Sequence, residues 1–421
     1  MLKQYFKQAL QMLKDNPLVN AISIMGTSLS IAMIMVIVLV FQINNANYAP
    51  ESARDRMLYV LGTEVYCESK TTRTRGGMSE EVVKECFYAL QRPEAVTACS
   101  KSERPVSLPG ERLFAEYNIN YTDPGCWKVF DFTFIHGAPF TESDFLSGMP
   151  RAVVSAETAR KLFGITEVVG KEIVIDYVSY SITGVVKTVS SGARFAYADI
   201  WVPYRSKPGL IAYDMHYEGG SGSFRTILLA RSPADFEAVK SELNAQLAVY
   251  NTAKEDCKVN FLSNPIDQLD LTMGSGGFQK VSFKSYFLST GSVLLFLLLI
   301  PAMNLIGIVQ SSVQKRKGEI GLRKAFGATW GKLIGQVLFE NMVITCIGAL
   351  IGLMLSFLFL HLGKSFILNE DMMLTADMLF KPGLFLAVLF FALLLNLLSA
   401  GLPALYTARQ QIVAALNDTN Q

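Results

Sequence analysis

One short string in this sequence approaches a nucleotide-binding motif. A phosphate-binding loop has the spacing G-x-x-x-x-G-K-[ST], in which the last hydroxyl binds magnesium. The string at 327–333 reads GATWGKL, so it is one residue short between its glycines and has Leu333 in place of the hydroxyl. The sequence therefore predicts no nucleotide site here, and we interpret this segment as a turn that enters an apolar helix.

Cysteine is the next residue type that could carry chemistry. Five of the six cysteines fall between the first two apolar runs of the chain, and Cys346 lies inside a later run, where a packing role is expected. In an oxidising compartment these five cysteines are expected to form one disulfide, or two disulfides with one thiol left over. The alternative is that they are free buried thiols. The spacing leaves the pairing open among Cys67, Cys86, Cys99, Cys126 and Cys257.

Other chemistry-bearing patterns are weak. His136 and His216 are isolated in sequence, and the chain has no C-x-x-C or Cys/His cluster of the kind that binds metal. We therefore predict no catalytic residue, no metal site and no cofactor in this chain. A formal net charge of +2 also argues against a nucleic-acid partner, which would require a strongly basic face.

Four long runs without a charged residue set the architecture, one at the start and three at the end. They occupy 16–50, 285–314, 341–360 and 382–408. A helix needs about 20 apolar residues to cross the hydrocarbon core of a bilayer. We therefore predict a membrane protein with four transmembrane α-helices at 18–43, 285–313, 336–361 and 382–406, and a large α+β extracytoplasmic domain at 44–283 between spans one and two.

Lysine and arginine in the short loops give the orientation, because such loops are basic on the cytoplasmic side. The loop after span two carries six basic residues against Glu319 alone, and the first fifteen residues carry three lysines against Asp15. Both termini (1–15 and 407–421) and the loop 314–333 are therefore predicted to be cytoplasmic, with 362–381 a short outside loop. An apolar stripe in residues 2–14 predicts an interfacial helix on the inner leaflet, which makes the lipid bilayer a partner; a helix packed on a cytoplasmic partner is the alternative.

The spans themselves carry small and polar residues but no ionisable one in their uncharged cores. This argues against an ion-coupled transporter, which places such groups within the membrane. Gly348 and Gly352 form a G-x-x-x-G pattern that permits close helix contact, either within one chain or across a dimer. Asn304 and Asn396 are interpreted as interhelical hydrogen-bond partners, and Pro301 as a kink.

The inserted segment alternates strand-like and helix-like stretches, as is typical of an α+β domain. Ser79 is expected to cap a helix that ends near Pro93, Gly164 to end another, and Ser69–Met78 to be turn-rich. Strands are predicted at Met57–Cys67, Arg112–Tyr121, Ala152–Ser155, a pair at Lys171–Val178 and Tyr180–Val186, a short edge at Asp199–Pro203, and Phe224–Ala230, with helices at Glu157–Phe163 and Pro233–Tyr250. Aromatic residues such as Tyr121, Trp127 and Trp201 are expected in the core or facing a partner.

The cytoplasmic loop between spans two and three combines charge with apolar side chains. Glu319–Phe326 can form a short helix, and glycines on either side allow sharp changes of direction. Such a helix suits docking into a groove of a cytoplasmic partner. A plain basic loop is the alternative, but a solvated loop has little use for Phe326 and Trp330.

Three stretches resemble one family, the MacB/FtsX-type permeases of ABC transporters. The run EIGLRKAFGA at 319–328 is similar to the family's signature cytoplasmic loop, Arg151–Tyr204 to the conserved part of its outside core domain, and Leu402–Leu416 to its C-terminal end. The order of the spans, one and then three, is similar too. The resemblance covers nearly the whole chain.

The resemblance implies a permease subunit that works as a dimer, with a homodimer and a heterodimer both open. It implies a bacterial inner-membrane protein with a periplasmic domain, and a loop helix that couples to a separate cytoplasmic ABC ATPase. ATP and Mg would then be bound by that partner, so we expect no enzymatic activity in this chain. The residues assigned to coupling are Glu319, Ile320, Gly321, Leu322, Arg323, Lys324, Phe326 and Gly327.

The family also implies mechanotransmission, in which motion of the ATPase inside moves the domain outside. Efflux, lipoprotein release and regulation of the cell envelope all remain open as its output, as does a periplasmic partner. The alternative from another class is a membrane-anchored receptor or scaffold that is not coupled to an ATPase, which leaves the glycine-bracketed loop unexplained.

Overall fold

The computed structural model describes residues 17–69, 71–111, 114–207, 209, 220–274, 284–297, 299, 330–363 and 382–394. The chain divides into two compact units. One extends from Gln42 to Phe283 and is called the inserted domain below; the apolar helices belong to the other, called the helical unit. The first helix, α1, runs from Pro17 to Asn45.

The inserted domain contains the strands of two sheets. They are β1 (Met57–Val60), β2 (Thr63–Cys67), β3 (Thr72–Gly76), β4 (Ala95–Ser107), β5 (Ala115–Thr122), β6 (Phe134–Gly137), β7 (Arg151–Ser155), β8 (Glu172–Ile175), β9 (Val178–Val186), β10 (Ile200–Pro203), β11 (Arg225–Leu229) and β12 (Cys257–Phe261). The larger sheet has the order β1-β11-β4-β5-β10-β7-β9-β6, and the smaller sheet has the order β12-β2-β3. Because β8 pairs with both β4 and β9, the strands β4, β5, β10, β7, β9 and β8 form a closed path.

Short helices connect these strands, and one long helix covers them. They are α2 (Glu80–Val82, continued by a π-helical turn Val83–Phe87), α3 (Cys126–Val129), α4 (Glu142–Leu146), α5 (Ala156–Phe163), α6 (Phe236–Thr252) and α7 (Gln268–Met273). The mixture of parallel and antiparallel pairs with flanking helices is an α+β arrangement.

Two apolar clusters cover opposite faces of the larger sheet, because side chains alternate between the faces of a strand. In β1 the side chains of Leu58 and Val60 enter the first cluster, and those of Met57 and Tyr59 enter the second. All four residues of this strand are buried. The sheet is thus covered on both sides, and the sequence-based alternation of polar and apolar residues is lost in its central strands.

Several sequence predictions are confirmed. The Ser79 side chain accepts a hydrogen bond from the amide of Val82 at the start of α2. Gly164 ends α5 with φ of 74°, in the left-handed region that favours glycine. The predicted strand pair forms as β8 and β9, joined at Asp176 and Tyr177, and both turn residues have positive φ. Tyr121 and Trp201 are fully buried, as expected of core residues.

Other predictions in the inserted domain are wrong. The stretch Met57–Cys67 is two strands in different sheets, because a side chain at Gly62 would lie 2.4 Å from the carbonyl oxygen of Gly76. The turn-rich stretch Ser69–Met78 contains strand β3. The helix that begins after Ser79 ends at Phe87 and not near Pro93, and Asp199–Pro203 holds a central strand, β10, between β5 and β7.

In the helical unit, α1 is followed by α8 (284–297), α9 (Trp330–Leu362) and α10 (Pro382–Leu394). Among the described residues, two helices are long and apolar enough to cross a bilayer, at Asn20–Asn45 and Asn341–Leu362, and Pro382–Leu394 is a shorter apolar helix. Pro301, Asn304 and Asn396, and the predicted interfacial helix, lie outside the described residues.

The G-x-x-x-G pattern of α9 packs against α1 of the same chain. Of the two alternatives that the sequence left open, the structure therefore shows the contact within one chain. A side chain at Gly348 would lie 3.0 Å from Thr27, and one at Gly352 would lie 2.7 Å from the carbonyl oxygen of Ser28. Small residues allow this approach of two apolar helices. Asn20 of α1, which the sequence analysis did not select, is also buried.

Candidate functional site

All eight residues predicted to couple to an ATPase, from Glu319 to Gly327, lie outside the described residues. Their assignment stays a prediction. The described part of the chain contains a different site with functional interest, at the place where the two ends of the inserted domain meet. It is built from buried charged and amide side chains and is called the joint here: Asn44, Glu51, Arg54, Gln268 and the segment 192–196.

Arg54 binds the C-terminal end of α1. The last carbonyl groups of a helix have no partner within the helix and carry its partial negative charge. The guanidinium Nη1 of Arg54 donates to the carbonyl oxygens of Ile43 at 3.2 Å and Ala46 at 3.1 Å. Its Nη2 donates to the carbonyl oxygen of Gly192 at 2.6 Å. The arginine thus fixes the helix end to a loop that lies far away in sequence.

Glu51 completes this arrangement from the other side. One carboxylate oxygen accepts from Nε of Arg54 at 2.7 Å, and the other accepts from the amides of Phe195 at 2.8 Å and Ala196 at 2.9 Å. The charge pair is therefore internally neutral, and both partners bind the same loop. Backbone donors and acceptors satisfy the lone pairs and protons that a bare ion pair would leave unmatched.

The pair is removed from solvent, since the side chains of Arg54 and Glu51 are 1% and 2% exposed. Burial by itself acts to lower the pKa of Arg54, but the charge of Glu51 outweighs it and the pKa is raised. The guanidinium also lies 4.6 Å from the centre of the Tyr48 ring. Arg54 therefore stays charged.

Gln268 brings the second end of the domain into the joint. Its amide Nε2 donates to the carbonyl oxygen of Asn44 at 2.6 Å, and its Oε1 accepts from the hydroxyl of Tyr59 at 2.7 Å. Gln268 is the first residue of α7, and Asp267 caps this helix by accepting from the amide of Asp270. The segment that leaves α1 and the segment that leads towards α8 are therefore hydrogen-bonded to each other.

This geometry suits the transfer of force rather than bond chemistry. Among the described residues of the joint, no nucleophile lies beside a base, and the charged groups are occupied with each other and with backbone. A displacement of the end of α1 would move Arg54, and through Glu51 it would move the loop 192–196. The sequence offered no signal for this site, because ESARDR at 51–56 reads as an ordinary solvated turn.

A disulfide closes the smaller sheet. Cys67 and Cys257 are direct partners in the antiparallel pair of β2 and β12, and they are bonded. This confirms the prediction of at least one disulfide. Cys86, Cys99 and Cys126 are free and buried, which corrects the expectation that a second disulfide could form among the five. Burial raises the pKa of Cys86 to about 12 and that of Cys99 to about 11, so both thiols are unreactive.

Asp256 lies beside this disulfide, and its carboxylate is within 4.8 Å of both sulfurs. Such a group of ligands could hold a metal only with both cysteines reduced, because a disulfide supplies no thiolate. In the structure the carboxylate instead accepts from the amide and the hydroxyl of Ser69. The arrangement therefore serves the strand connection.

A buried carboxyl group gives the inserted domain a pH dependence. Asp123 accepts from the hydroxyls of Tyr88 and Thr97 and from the amide of Ala98. Burial nevertheless dominates and raises the pKa of Asp123 from 3.8 to about 6. The folded state therefore binds a proton at Asp123 more tightly than the unfolded chain does. The stability that the protonated carboxyl group contributes is fully present below about pH 4 and is lost as the pH rises through about 6.

We expect Asp123→Asn to remove this slope. The wild-type protein should lose about 2 kcal/mol of unfolding free energy between pH 4 and pH 7 from this group, since one pKa unit corresponds to about 1.4 kcal/mol and the carboxyl group of the unfolded chain is already partly ionised at pH 4. Guanidinium unfolding of the full chain in detergent, followed by tryptophan fluorescence, measures this, because Trp201 lies in the second cluster. Exposed Asp131→Asn is the control and should keep the slope. Equal slopes in wild type and Asp123→Asn would contradict the expectation.

With the fold and the joint described, comparison with known proteins gives the family. The profile of the MacB-like periplasmic core domain matches residues 21–246, and the profile of the FtsX-like permease C-terminal region matches residues 291–412. The first match alone covers more than half of the chain. The chain belongs to the MacB/FtsX-type family of ABC transporter permeases, which are inner-membrane proteins with a periplasmic domain.

Individual relatives agree with this. An uncharacterized ABC transporter permease of Bacillus subtilis, YknZ, is 28% identical over 257 residues, which are 59% of this chain and 60% of that protein. The macrolide export ATP-binding/permease protein MacB of Chromobacterium violaceum is 22% identical over 99% of this chain and 61% of that protein. The chain thus spans about three fifths of the length of these curated relatives.

Two solved structures are similar to about half of the chain. The extracellular domain of YknZ from Gram-positive bacteria matches with 17% identity and a TM-score of 0.34, covering 48% of this chain and 99% of that one. The periplasmic region of MacB from Actinobacillus actinomycetemcomitans matches with 14% identity and a TM-score of 0.33, covering 48% of this chain and 88% of that one.

Proposed function

We propose that this chain is the transmembrane subunit of an ABC transporter that transmits ATP-driven motion to its periplasmic domain. The observation that carries the proposal is the joint. Arg54 and Glu51 connect the end of α1 to the loop 192–196, and Gln268 connects it to the segment leading to α8. Movement of either membrane connection would therefore move the inserted domain as one body.

The energetics of the joint support this role. A transmitting element must not open under load, and removing one partner of a buried ion pair costs about 3–5 kcal/mol. Switching a two-state element from 1:99 to 99:1 requires about 5.5 kcal/mol of differential affinity. The joint is therefore costly to break, as an element that transmits such a switch requires.

The proposal includes the topology predicted from the sequence. Four spans place both termini and the loop 314–333 in the cytoplasm and the inserted domain in the periplasm. A cytoplasmic ATPase partner binds ATP and Mg, and the subunit functions as a dimer. Ile320, Leu322 and Phe326 dock into that partner, Glu319 and Arg323 act as polar anchors beside the exposed Lys324, and Gly321 and Gly327 act as hinges.

The movement of the periplasmic domain would drive one of several processes. Several relatives carry names that assign them to macrolide or pyoverdine export. Efflux through an envelope partner is therefore the first output to examine, with lipoprotein release and regulation of the cell envelope as the others. The described joint is compatible with each, because it moves a domain without binding a particular cargo.

The coupling assignment is tested with Glu319→Lys combined with Phe326→Asp. We expect the wild-type protein to stimulate ATP hydrolysis by the ATPase that co-purifies with it, and the double variant to lose most of that stimulation while still inserting into the membrane. The conservative pair Glu319→Asp and Phe326→Leu is the matched control and should retain stimulation. Unchanged hydrolysis in the charge variant would refute the docking residues, and a wild-type protein that binds no ATPase would favour the receptor or scaffold alternative.

A further inference from the structure

Three basic side chains of the inserted domain lie close together without a carboxylate partner. Arg194 and Arg225 form no ion pair with any described residue, and Lys101 donates to the carbonyl oxygens of Arg194 and Tyr197. Burial, followed by repulsion from Arg225, lowers the pKa of Arg194, and burial lowers that of Lys101 to about 8. The charge of Glu51 acts on both Arg194 and Lys101, but Glu51 is itself paired with Arg54, so the remaining positive charge favours a bound anion.

Arg194 also lines a cleft of about 220 Å³ beside the joint. The other charged residues in its wall, Glu51 and Arg54, neutralise each other, so Arg194 sets the net charge of the cleft. The residue keeps an exposed surface, and its guanidinium lies 5.7 Å from the centre of the Phe195 ring, which also lines the cleft. Ser191, next to Gly192 in the cleft wall, has a buried hydroxyl without a hydrogen-bond partner among the described residues.

Two residues of the wall fix where this cleft lies along the chain. Asn44 directly follows the apolar run that ends at Ile43, and Gly274 shortly precedes the residues of α8 in the sequence. Because a spanning helix ends where the hydrocarbon core gives way to headgroups, Asn44 belongs to the interfacial region of the membrane. The anions that are abundant at this depth are the phosphates of the lipids.

We propose that this cleft binds the phosphate group of a membrane phospholipid, with Arg194 as the principal contact. The planar guanidinium group matches the geometry of phosphate oxygens and can donate two parallel hydrogen bonds. Arg225 and Lys101 increase the positive potential around the site. A bound headgroup would hold the inserted domain at the membrane surface directly beside the joint, and this does not depend on ATPase coupling.

The proposal is tested by direct binding to the full-length protein in maltoside detergent. The probes are a short-chain phosphatidylglycerol, the matching diacylglycerol without phosphate, the free glycerophosphoglycerol headgroup, and inorganic phosphate. Isothermal titration gives the affinities for wild type, Arg194→Gln and Arg225→Gln. Arg160→Gln is the matched control, since Arg160 is an exposed arginine on α5 outside the cleft.

We expect the phosphatidylglycerol to bind, the diacylglycerol to bind far more weakly, and Arg194→Gln to weaken phospholipid binding at least about tenfold, as befits a charge-assisted contact. Arg225→Gln should cause a smaller loss that disappears in high salt. Arg160→Gln should bind like wild type. Equal binding by wild type and Arg194→Gln would overturn the site, and inorganic phosphate binding as tightly as the phospholipid would overturn its assignment to a lipid.

Discussion

Arg54→Met is expected to destabilise the inserted domain by about 3–5 kcal/mol. The substitution keeps much of the side-chain volume but leaves the carboxylate of Glu51 buried without its counter-charge. It also leaves the carbonyl oxygens of Ile43, Ala46 and Gly192 without their donor. The midpoint of guanidinium unfolding, followed by the fluorescence of the buried Trp201, measures the loss.

Two controls separate this effect from a general loss of charge. Arg75 also forms an ion pair, with Glu64 at 2.9 Å, but the Arg75 side chain is 70% exposed. Arg75→Met should therefore change the free energy of unfolding by less than about 1 kcal/mol. The double variant Glu51→Gln with Arg54→Met removes the orphaned charge and should recover part of the loss. If Arg54→Met is no more harmful than Arg75→Met, the joint does not hold the domain ends together.

The second large effect is expected from the disulfide. Cys67→Ser should destabilise the domain by about 2–5 kcal/mol, because the bond between Cys67 and Cys257 closes a long loop in the unfolded chain. Because the two cysteines are 190 positions apart, the loss of unfolding free energy should lie near the upper end of this range. Thermal unfolding of the full chain in detergent, with and without dithiothreitol, measures the change.

The reductant supplies the matched control for this prediction. Reduced wild-type protein should unfold like Cys67→Ser, and the reductant should have no further effect on the variant. The remaining cysteines of the domain are free and buried, so they add no second reducible bond within the described residues. Identical unfolding of oxidised and reduced wild-type protein would show that the bond contributes nothing to stability.

The parts of the fold that were predictable carry local signals. Ser79 and Gly164 mark helix ends through chemistry that involves only their neighbours in sequence. The apolar residues of α1 and α9 form runs that few soluble sequences contain. Gly348 and Gly352 were recognisable as a contact face, although the sequence alone left the contacting helix open.

The errors arose where tertiary contacts decide the structure. β10 is short and buried on both faces, so it has no alternation that separates a central strand from an edge. β4 was missed because it carries Lys101, Glu103 and Arg104 within a strand of 13 residues that is only partly buried. The break at Gly62 depends on the backbone of Gly76, which arrives from the next strand.

The joint was unpredictable for the same reason. Glu51 and Arg54 are three residues apart in a charged segment, and their burial depends on Phe195 and Ala196, more than 140 positions later. Gln268 is one amide among many in the sequence. Sequence reasoning selects sites by residue type and spacing, and neither distinguishes a buried structural ion pair from a solvated one.

The hydrogen bond between Gln268 and Asn44 has an evolutionary consequence. Because the inserted domain leaves and rejoins the chain at neighbouring points, it resembles a cassette that opens and closes at a single seam. Lengthening, trimming or replacing such a cassette leaves the register of the apolar helices unaltered. Related chains could therefore differ widely in the inserted domain while their apolar helices stay the same.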